Sequence, residues 1–225
     1  ISGVLFRSYL VLLNEKNKTK FFGKKMNYTG PKAKLSRKIG INMDSKATKV
    51  ASKKPYPPGQ HGNSKKRKKM SDYGTQLLEK QRLKLQYNVS EKQMLKAYKE
   101  ATRLDGNTGT LMLQQLEHRL DALVFRAGFA RTMYAARQYV AHGHILVNGR
   151  KMDRPSYHTK VNDIISVKPK AQKMDALQEA VRGSGNPSYL DVNKADFTAK
   201  LLHVPEIEDI PIKVEIPLVV EYYSR

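Results

Sequence analysis

Apolar residues recur at helical spacing from about residue 71 onward, and polar capping residues stand in front of the first two segments. Ser71-Asp72 forms an N-cap pair ahead of a stretch in which leucines alternate with Lys and Glu. Ser90-Glu91-Lys92-Gln93 has the form of a capping box. The pattern therefore predicts two consecutive helices, the second of which ends near Ala101.

Two further helices are predicted, each followed by a glycine. A stripe of leucines with Val124 predicts one continuous helix from about Thr108 to Ala127, with Gly128 in the position just past its end. The next helix is predicted from about Thr132 to His142 and stops at Gly143.

Beyond the fourth helix the period shortens to that of β-strands. His144–Val147 leads into Asn148-Gly149, a dipeptide typical of tight hairpins, and Asp163–Val167 has the composition of another strand. We predict a further helix over Lys170–Arg182 and, from the alternation of Ile212–Tyr223, a closing strand. The pattern as a whole predicts an α+β fold that is mostly α.

Composition narrows the function. Of 225 residues, 42 are Lys or Arg and 20 are Asp or Glu, which gives a formal net charge of +22. An excess of this size indicates a polyanionic partner, with nucleic acid ahead of an anionic membrane surface. The absence of cysteine excludes disulfides, thiolate zinc sites, iron–sulfur clusters and cysteine nucleophiles. No apolar run approaches the roughly 18 residues of a membrane span.

The positive charge is concentrated toward the N-terminus. Residues 1–80 carry 20 basic and 4 acidic side chains, residues 81–185 carry 18 and 9, and residues 186–225 carry 4 and 7. We therefore expect residues 26–70 to form a basic, largely extended arm that orders on RNA. Residues 1–25 are interpreted as an extension, with translated leader upstream of Met26 favoured over a helix that docks on a partner.

Two groups of cations give the strongest functional signal. Lys65–Lys69 is a run of five consecutive charges suited to phosphate contact. The second group spans the helices and the hairpin and consists of Arg119, Arg126, Arg131, Arg137, Arg150 and Lys151. Arginine grips phosphate bidentately and stacks on bases, so this group predicts a surface for structured RNA. Alternatively, one or two of these arginines are paired inside the fold, Arg119 with Asp121 or Glu117 first among them.

Other constellations indicate neither catalysis nor a cofactor. His142-x-His144 has no close carboxylate in the sequence, which argues against a metal site. The loop Gly59-Gln60-His61-Gly62 lacks neighbouring acid–base partners, and its glycines are better suited to let backbone approach RNA. The residues call for no enzyme, no cofactor and no metal.

Several of these segments together resemble a known family. They are Tyr28–Lys32, Ser36–Lys38, Pro57–Gly62, Ser71–Gly74, Leu116–Asp121, Phe125–Phe129, Ala136–Gln138, His142–Gly149 and Pro155–Tyr157. In this order, from Met26 to Arg225, the chain resembles bacterial-type small-subunit ribosomal protein four. The Gly59–Gly62 loop is particular to the ribosomal members.

The resemblance implies a primary rRNA-binding protein that nucleates assembly of the body of the small ribosomal subunit and contributes to translational accuracy. Implied partners are small-subunit rRNA, mRNA at the channel entrance and the neighbouring ribosomal protein five, with no membrane and no homo-oligomer. A cytoplasmic ribosome is favoured over an organellar one. The implied fold is a helical domain of residues 71–115 and 182–225, into which a helix–hairpin RNA-binding module of residues 116–181 is inserted.

The resemblance also implies three groups of site residues. The rRNA-binding group is Arg37, Lys38, Arg119, Arg126, Arg131, Arg137, Asn148, Arg150 and Lys151. Backbone approach to RNA is implied for Gly59, Gln60, His61 and Gly62, and a place facing incoming mRNA for Lys65, Lys66, Arg67, Lys68 and Lys69. Some relatives hold zinc by four cysteines, so a zinc-free form is implied in which residues 39–56 order on RNA. Met133 stands where arginine is common and is not counted as a contact.

Two other classes of protein carry the same module. Pseudouridine synthases and a tyrosyl synthetase attach it to a catalytic domain, for which the residues outside 116–181 offer neither a catalytic Asp nor a nucleotide site. Stand-alone RNA chaperones are usually shorter and lack the Gly59–Gly62 loop. An RNA-binding chaperone or an accessory of an RNA-modifying enzyme is therefore the alternative.

Overall fold

The structure is a computed structural model that describes residues 28, 30–63, 70–183, 185 and 187–225. The expected extension over residues 1–25 and the cationic run Lys65–Lys69 lie outside the described residues. The helices are α1 Lys32–Ile39, α2 Ser45–Lys53, α3 Asp72–Gln86, α4 Glu91–Thr102, α5 Thr108–Glu117, α6 Leu120–Arg126, α7 Met133–Ala141, α8 Pro169–Gln172, α9 Asp175–Arg182 and α10 Ile216–Ser224. The strands are β1 Ile145–Val147, β2 Arg150–Lys151, β3 Ile164–Val167, β4 Leu190–Asn193 and β5 Thr198–Leu201. The α+β class with a helical majority is confirmed.

Local capping chemistry sets the starts of α3, α4 and α7 where the sequence predicts them. The Ser71 hydroxyl accepts from the Gly74 N–H at 3.2 Å. Ser90 and Gln93 form both bonds of a capping box, and the Thr132 hydroxyl accepts from the Ala135 N–H at 3.1 Å. These three helix starts are confirmed.

The predicted continuous helix over Thr108–Ala127 is wrong, because the chain breaks between α5 and α6. Arg119 is extended, with ψ of 138°, and forms a β-bridge with His158. The Leu120 N–H donates to the Tyr157 carbonyl at 2.8 Å, and the Thr159 N–H donates to the His118 carbonyl at 2.9 Å. Helical hydrogen bonds are thus exchanged for pairing with a segment almost forty residues away in sequence.

The strands form one antiparallel sheet in the order β2-β1-β3-β5-β4. Asn148 and Gly149 join β1 to β2 with φ of 49° and 76°, which confirms the hairpin. The sequence did not indicate β4 and β5, which pair through β5 with β3. Part of residues 182–225, expected to return to the helical domain, therefore continues the sheet of the module.

The end of the chain and the predicted helix over Lys170–Arg182 also differ from expectation. The helix is two, α8 and α9, with Lys173 and Met174 between them. The predicted strand over Ile212–Tyr223 is wrong, because α10 occupies most of it. Val219 is fully buried, and Ile216, Val220 and Tyr223 complete a helical stripe against the core of α3, α4 and α5.

The basic arm is helical at α1 and α2 instead of largely extended. Asp44 caps α2 by accepting from the Ala47 N–H, and Gly40 ends α1 with φ of 75°. The described residues form two apolar cores, one among α3, α4, α5 and α10 and the other between the sheet and helices α6, α7 and α9. Phe125 of α6 packs against both, so the helical part and the module share a boundary there.

Candidate RNA-binding surface

Arg119 is an internal residue of the module. Its Nε and Nη2 donate to the two carboxylate oxygens of Asp121 at 3.0 and 2.7 Å, and only 4% of the residue is exposed. Arg137 of α7 shares the same carboxylate through Nη1 at 3.3 Å, with 22% of its side chain exposed. Burial raises the pKa of Asp121, and the two guanidinium groups oppose that rise. The alternative that pairs Arg119 with Asp121 is confirmed, whereas Arg137 keeps an edge toward solvent.

Arg126 is likewise held inside the fold, by a fully buried Glu117. Arg126 Nε and Nη2 donate to Glu117 Oε1 at 3.0 and 2.7 Å. The Tyr87 hydroxyl donates to the same oxygen at 2.8 Å, and that of Tyr189 donates to Oε2 at 3.5 Å. Burial and the carboxylate raise the pKa of both tyrosines, so they remain neutral donors. We therefore move Arg126 and Arg119 from the expected RNA contacts to the groups that hold the module in shape.

Arg37 is half-buried and binds the backbone just ahead of the Gly59–Gly62 loop. Its Nη2 donates to the Tyr56 carbonyl at 2.7 Å, and its Nε donates to the carbonyls of Tyr56 and Lys54 at 3.0 and 3.1 Å. The guanidinium also stands 5.0 Å from the centroid of the Tyr56 ring. Its neighbour Lys38 is exposed. Arg37 thus positions the start of the loop, whereas Lys38 forms no ion pair with any residue that the structure describes.

The glycines of the loop have an internal reason to be glycine. A Cβ on Gly62 would lie 1.9 Å from the Pro57 carbonyl oxygen, and the Gly62 N–H donates to the Gly59 carbonyl at 3.2 Å. Gly59 has φ of 114°, where side chains are strained. Gln60 and His61 are exposed at the tip between them. Backbone approach to RNA stays a prediction for this loop.

In the β1–β2 hairpin, Asn148 holds the turn in place, whereas Arg150 and Lys151 are exposed cations. Asn148 donates through Nδ2 to Asp163 Oδ1 at 2.8 Å and accepts from the Ile164 N–H at 2.9 Å, so its side chain pins the turn to β3. Arg150 and Lys151 are exposed on β2. In the part of the chain that the structure describes, neither forms an ion pair.

Arg131 lies at the start of α7 beside an open cavity of about 670 Å³. Its Nη2 is 2.7 Å from Glu179 Oε1, and the two side chains are 58% and 59% exposed. The cavity is also lined by Thr132 and Gly128. An exposed pair of this kind contributes little to stability, so a phosphate can displace the carboxylate at small cost.

A basic stripe on α2 was not predicted from the sequence. Lys46, Lys49 and Lys53 are exposed on α2 at the i, i+3, i+7 spacing of one helix face. The spacing was visible in the sequence, but it has meaning only on a helix, and this stretch was expected to be extended. No acidic residue occurs within α2.

The described ranges show neither a metal-binding cluster nor a membrane-spanning helix. They contain no group of three or more His, Asp or Glu side chains placed to hold a metal ion. They also contain no helix with the length and apolar character needed to cross a bilayer.

Comparison with known proteins gives two consecutive family matches. Residues 27–117 match the ribosomal protein S4/S9 N-terminal domain, and residues 118–165 match the S4 domain. The boundary falls at the break between α5 and α6.

Similar proteins match over almost their entire length. The small ribosomal subunit protein uS4 of Bifidobacterium animalis subsp. lactis is 49% identical over 205 residues, which covers 88% of this chain and 99% of the relative. That of Bifidobacterium adolescentis is 50% identical over 198 residues, covering 85% and 95%. That of Streptomyces avermitilis is 45% identical over 204 residues, covering 88% and 99%.

Proposed function

The chain belongs to the family of the small ribosomal subunit protein uS4, and on this premise we propose that it is a structural, non-enzymatic component of the small ribosomal subunit that binds rRNA. One observation supports the proposal independently of family membership: some basic side chains are engaged inside the fold, and others are exposed. Several expected contact residues form ion pairs or hydrogen bonds inside the fold, yet exposed lysines and arginines remain on the hairpin, just before α7, and on α1 and α2.

The proposed rRNA contacts are therefore a revised set. It consists of Lys38, Lys46, Lys49, Lys53, Arg131, Arg137, Arg150 and Lys151. Arg150 and Lys151 support it most directly, because they are exposed and no carboxylate pairs with them among the described residues. Phosphate contacts of this kind supply affinity and register, while A-form RNA offers side chains little sequence information.

Finer roles follow from the resemblance and are part of the proposal. We infer that binding occurs early and nucleates the body of the subunit, that ribosomal protein five is a neighbour, and that the protein acts as a single copy in cytoplasmic ribosomes. Lys65–Lys69 is proposed to face incoming mRNA, with an effect on accuracy. The exposure of Gln60 and His61 supports the proposal that the backbone of the Gly59–Gly62 loop approaches RNA.

The alternative, a stand-alone chaperone or the accessory of an RNA-modifying enzyme, is not favoured. Relatives named as ribosomal proteins match along nearly all of their length, including the part that precedes the S4 domain. A module attached to an unrelated domain would match over the S4 domain alone.

A salt-resolved binding titration tests the proposal. The full chain is titrated with a folded small-subunit rRNA junction and with a scrambled RNA of equal length. Specific binding predicts a preference of about a hundredfold or more that survives moderate salt. Equal affinities that vanish together as salt rises would overturn the proposal and favour the chaperone.

A paired set of variants locates the surface in the same assay. Arg150→Gln with Lys151→Gln should weaken junction binding about tenfold or more, since two charge-assisted contacts are lost. Lys194→Gln with Lys200→Gln removes the same charge from the acidic C-terminal part and should leave the affinity nearly unchanged. Equal losses in both pairs would mean that the hairpin is no special surface.

A further inference from the structure

Two histidines stand at the C-terminal end of α7, on either side of a glycine that lets the chain turn into β1. Gly143 has φ of 68°, and the His144 N–H donates back to the Tyr139 carbonyl at 3.0 Å. The rings of His142 and His144 lie 5.9 Å apart at an interplanar angle of 63°. The edge of the Tyr139 ring flanks His144 at 6.3 Å.

Two lysines from other elements meet this histidine pair. The stem of Lys151 crosses the α7 terminus so closely that a Cβ on Gly143 would lie 2.3 Å from its Cε and 3.2 Å from its Nζ. Lys168, just after β3, donates its N–H to the His144 carbonyl at 2.9 Å. The end of α7, strand β2 and the residue after β3 thus contribute to one cluster. Lys151 reaches it through its side chain, and Lys168 through the backbone bond to His144 and a positive field on the His144 ring.

This cluster has no counter-charge among the described residues. None of its four side chains forms an ion pair there with a carboxylate, and Asp153, the acidic residue that follows β2, is exposed. Burial and the positive fields of His142 and Lys168 lower the pKa of His144. A cluster of cations without a partner is a site that an anion would complete.

We propose that His142, His144, Lys151 and Lys168 form a proton-linked site for one phosphate group of the bound RNA. The inference rests on the proposed function, whose ligand is RNA, and adds to it a particular subsite and a chemical mechanism. A phosphate placed among these side chains accepts from the ammonium groups and from imidazolium N–H groups. Protonation of His144 and RNA binding therefore favour each other.

The sign of the linkage is fixed by the charges. In the free protein the neighbouring cations disfavour imidazolium, and a bound phosphate reverses that field, so the pKa of His144 rises on binding. The added affinity is fully present below the free pKa and is lost as pH rises through the pKa of the complex. The pKa of His144 in the free protein lies below the ordinary histidine value of about 6.5. We therefore expect the affinity for RNA to change with pH in mildly acidic to neutral solution.

The test measures rRNA-junction affinity of the full chain at about pH 6.0 and about pH 7.5, a range that spans histidine titration. The variants are His142→Gln, which changes an exposed residue, His144→Gln, and both together, with the exposed His203→Gln as the matched control. The wild type and H203Q should bind about threefold to tenfold more tightly at the lower pH, and the double variant should lose most of that gain. RNA titration contributes equally to every protein and cancels in the comparison.

Thermal unfolding of each variant separates this site from a purely structural one. Cations near the C-terminal end of α7 also interact favourably with the helix dipole. If the histidines act only in this way, replacing them should lower the unfolding temperature without changing the pH dependence of RNA binding. If H142Q and the double variant, both folded, keep the wild-type slope, the phosphate site is wrong while rRNA binding itself stands. Loss of junction preference in the wild type would instead remove the proposed function.

Discussion

The buried carboxylate of Glu117 accepts hydrogen bonds from three parts of the molecule. It receives hydrogen bonds from Arg126 of α6, from Tyr87 at the end of α3 and from Tyr189 ahead of β4. Two of these donors belong to different apolar cores, so the carboxylate joins the helical part to the sheet. A buried ion pair of this kind is costly to break because the surviving cation remains without water.

Glu117→Gln should lower the free energy of unfolding by about 3–5 kcal/mol, since Arg126 keeps its charge in a site that has lost its counter-charge. Glu179→Gln is the matched control, because its partner Arg131 is exposed and a surface pair is worth about 1 kcal/mol or less. Urea unfolding of both variants measures the difference. Losses of similar size would show that the Glu117 cluster adds nothing beyond an ordinary surface pair.

At the scale of elements, Arg37 connects α1 to the loop that follows α2. Its fork satisfies carbonyl groups of Lys54 and Tyr56, which an ammonium cannot match in geometry. The loop therefore depends on a side chain seventeen or more residues earlier in the chain. Arg37 therefore holds the start of this loop in place through its hydrogen bonds.

Arg37→Lys should release the loop while the helical core stays intact. Amide hydrogen exchange over residues 59–63, above all at the Gly62 N–H that donates to the Gly59 carbonyl, is expected to accelerate about tenfold, the equivalent of roughly one charge-assisted hydrogen bond. Exchange in α3 should not change. The control Lys38→Gln, at the exposed neighbouring position, should leave exchange unchanged in both the loop and α3. Unchanged exchange at the loop in Arg37→Lys would mean that other contacts hold it.

Sequence patterns anticipated those elements whose determinants are local. Ser90 with Gln93, Thr132 and Asn148-Gly149 each act within a few residues, and each is found where expected. The break at Arg119 depends on a distant segment around His158, which helical periodicity does not register. Ile212–Tyr223 satisfies both a two-residue and a helical period, and only packing on the core selects the helix.

The same distinction applies to the candidate surface. The sequence indicates which residues are cationic, but exposure depends on where the carboxylates lie. Arg126 pairs with Glu117 nine residues away, and Arg119 pairs with Asp121. Lys151 is exposed, and no carboxylate pairs with it among the described residues. Burial therefore converted two expected RNA contacts into internal ties.

At the scale of the whole molecule, charge has a direction along the chain. The first 80 residues hold 20 basic against 4 acidic side chains, whereas residues 186–225 hold 4 against 7. Among the described residues, α1 and α2 contain basic and no acidic side chains, so these helices should attract a polyanion, whereas the acidic C-terminal part should repel it. The stripe Lys46, Lys49 and Lys53 lies on α2.

Replacing these three lysines of α2 by Gln should reduce the salt dependence of rRNA binding. Each phosphate contact contributes about 0.7–0.9 to the slope of log K against log salt, so the slope should fall by about 2–3. The control Lys194→Gln, Lys200→Gln and Lys213→Gln changes net charge equally but lies within the acidic part, and its slope should match the wild type. Because charge loss is identical, a slope that falls equally in both proteins would show that RNA senses only total charge. A slope that falls only with the α2 changes identifies this helix as a contact surface.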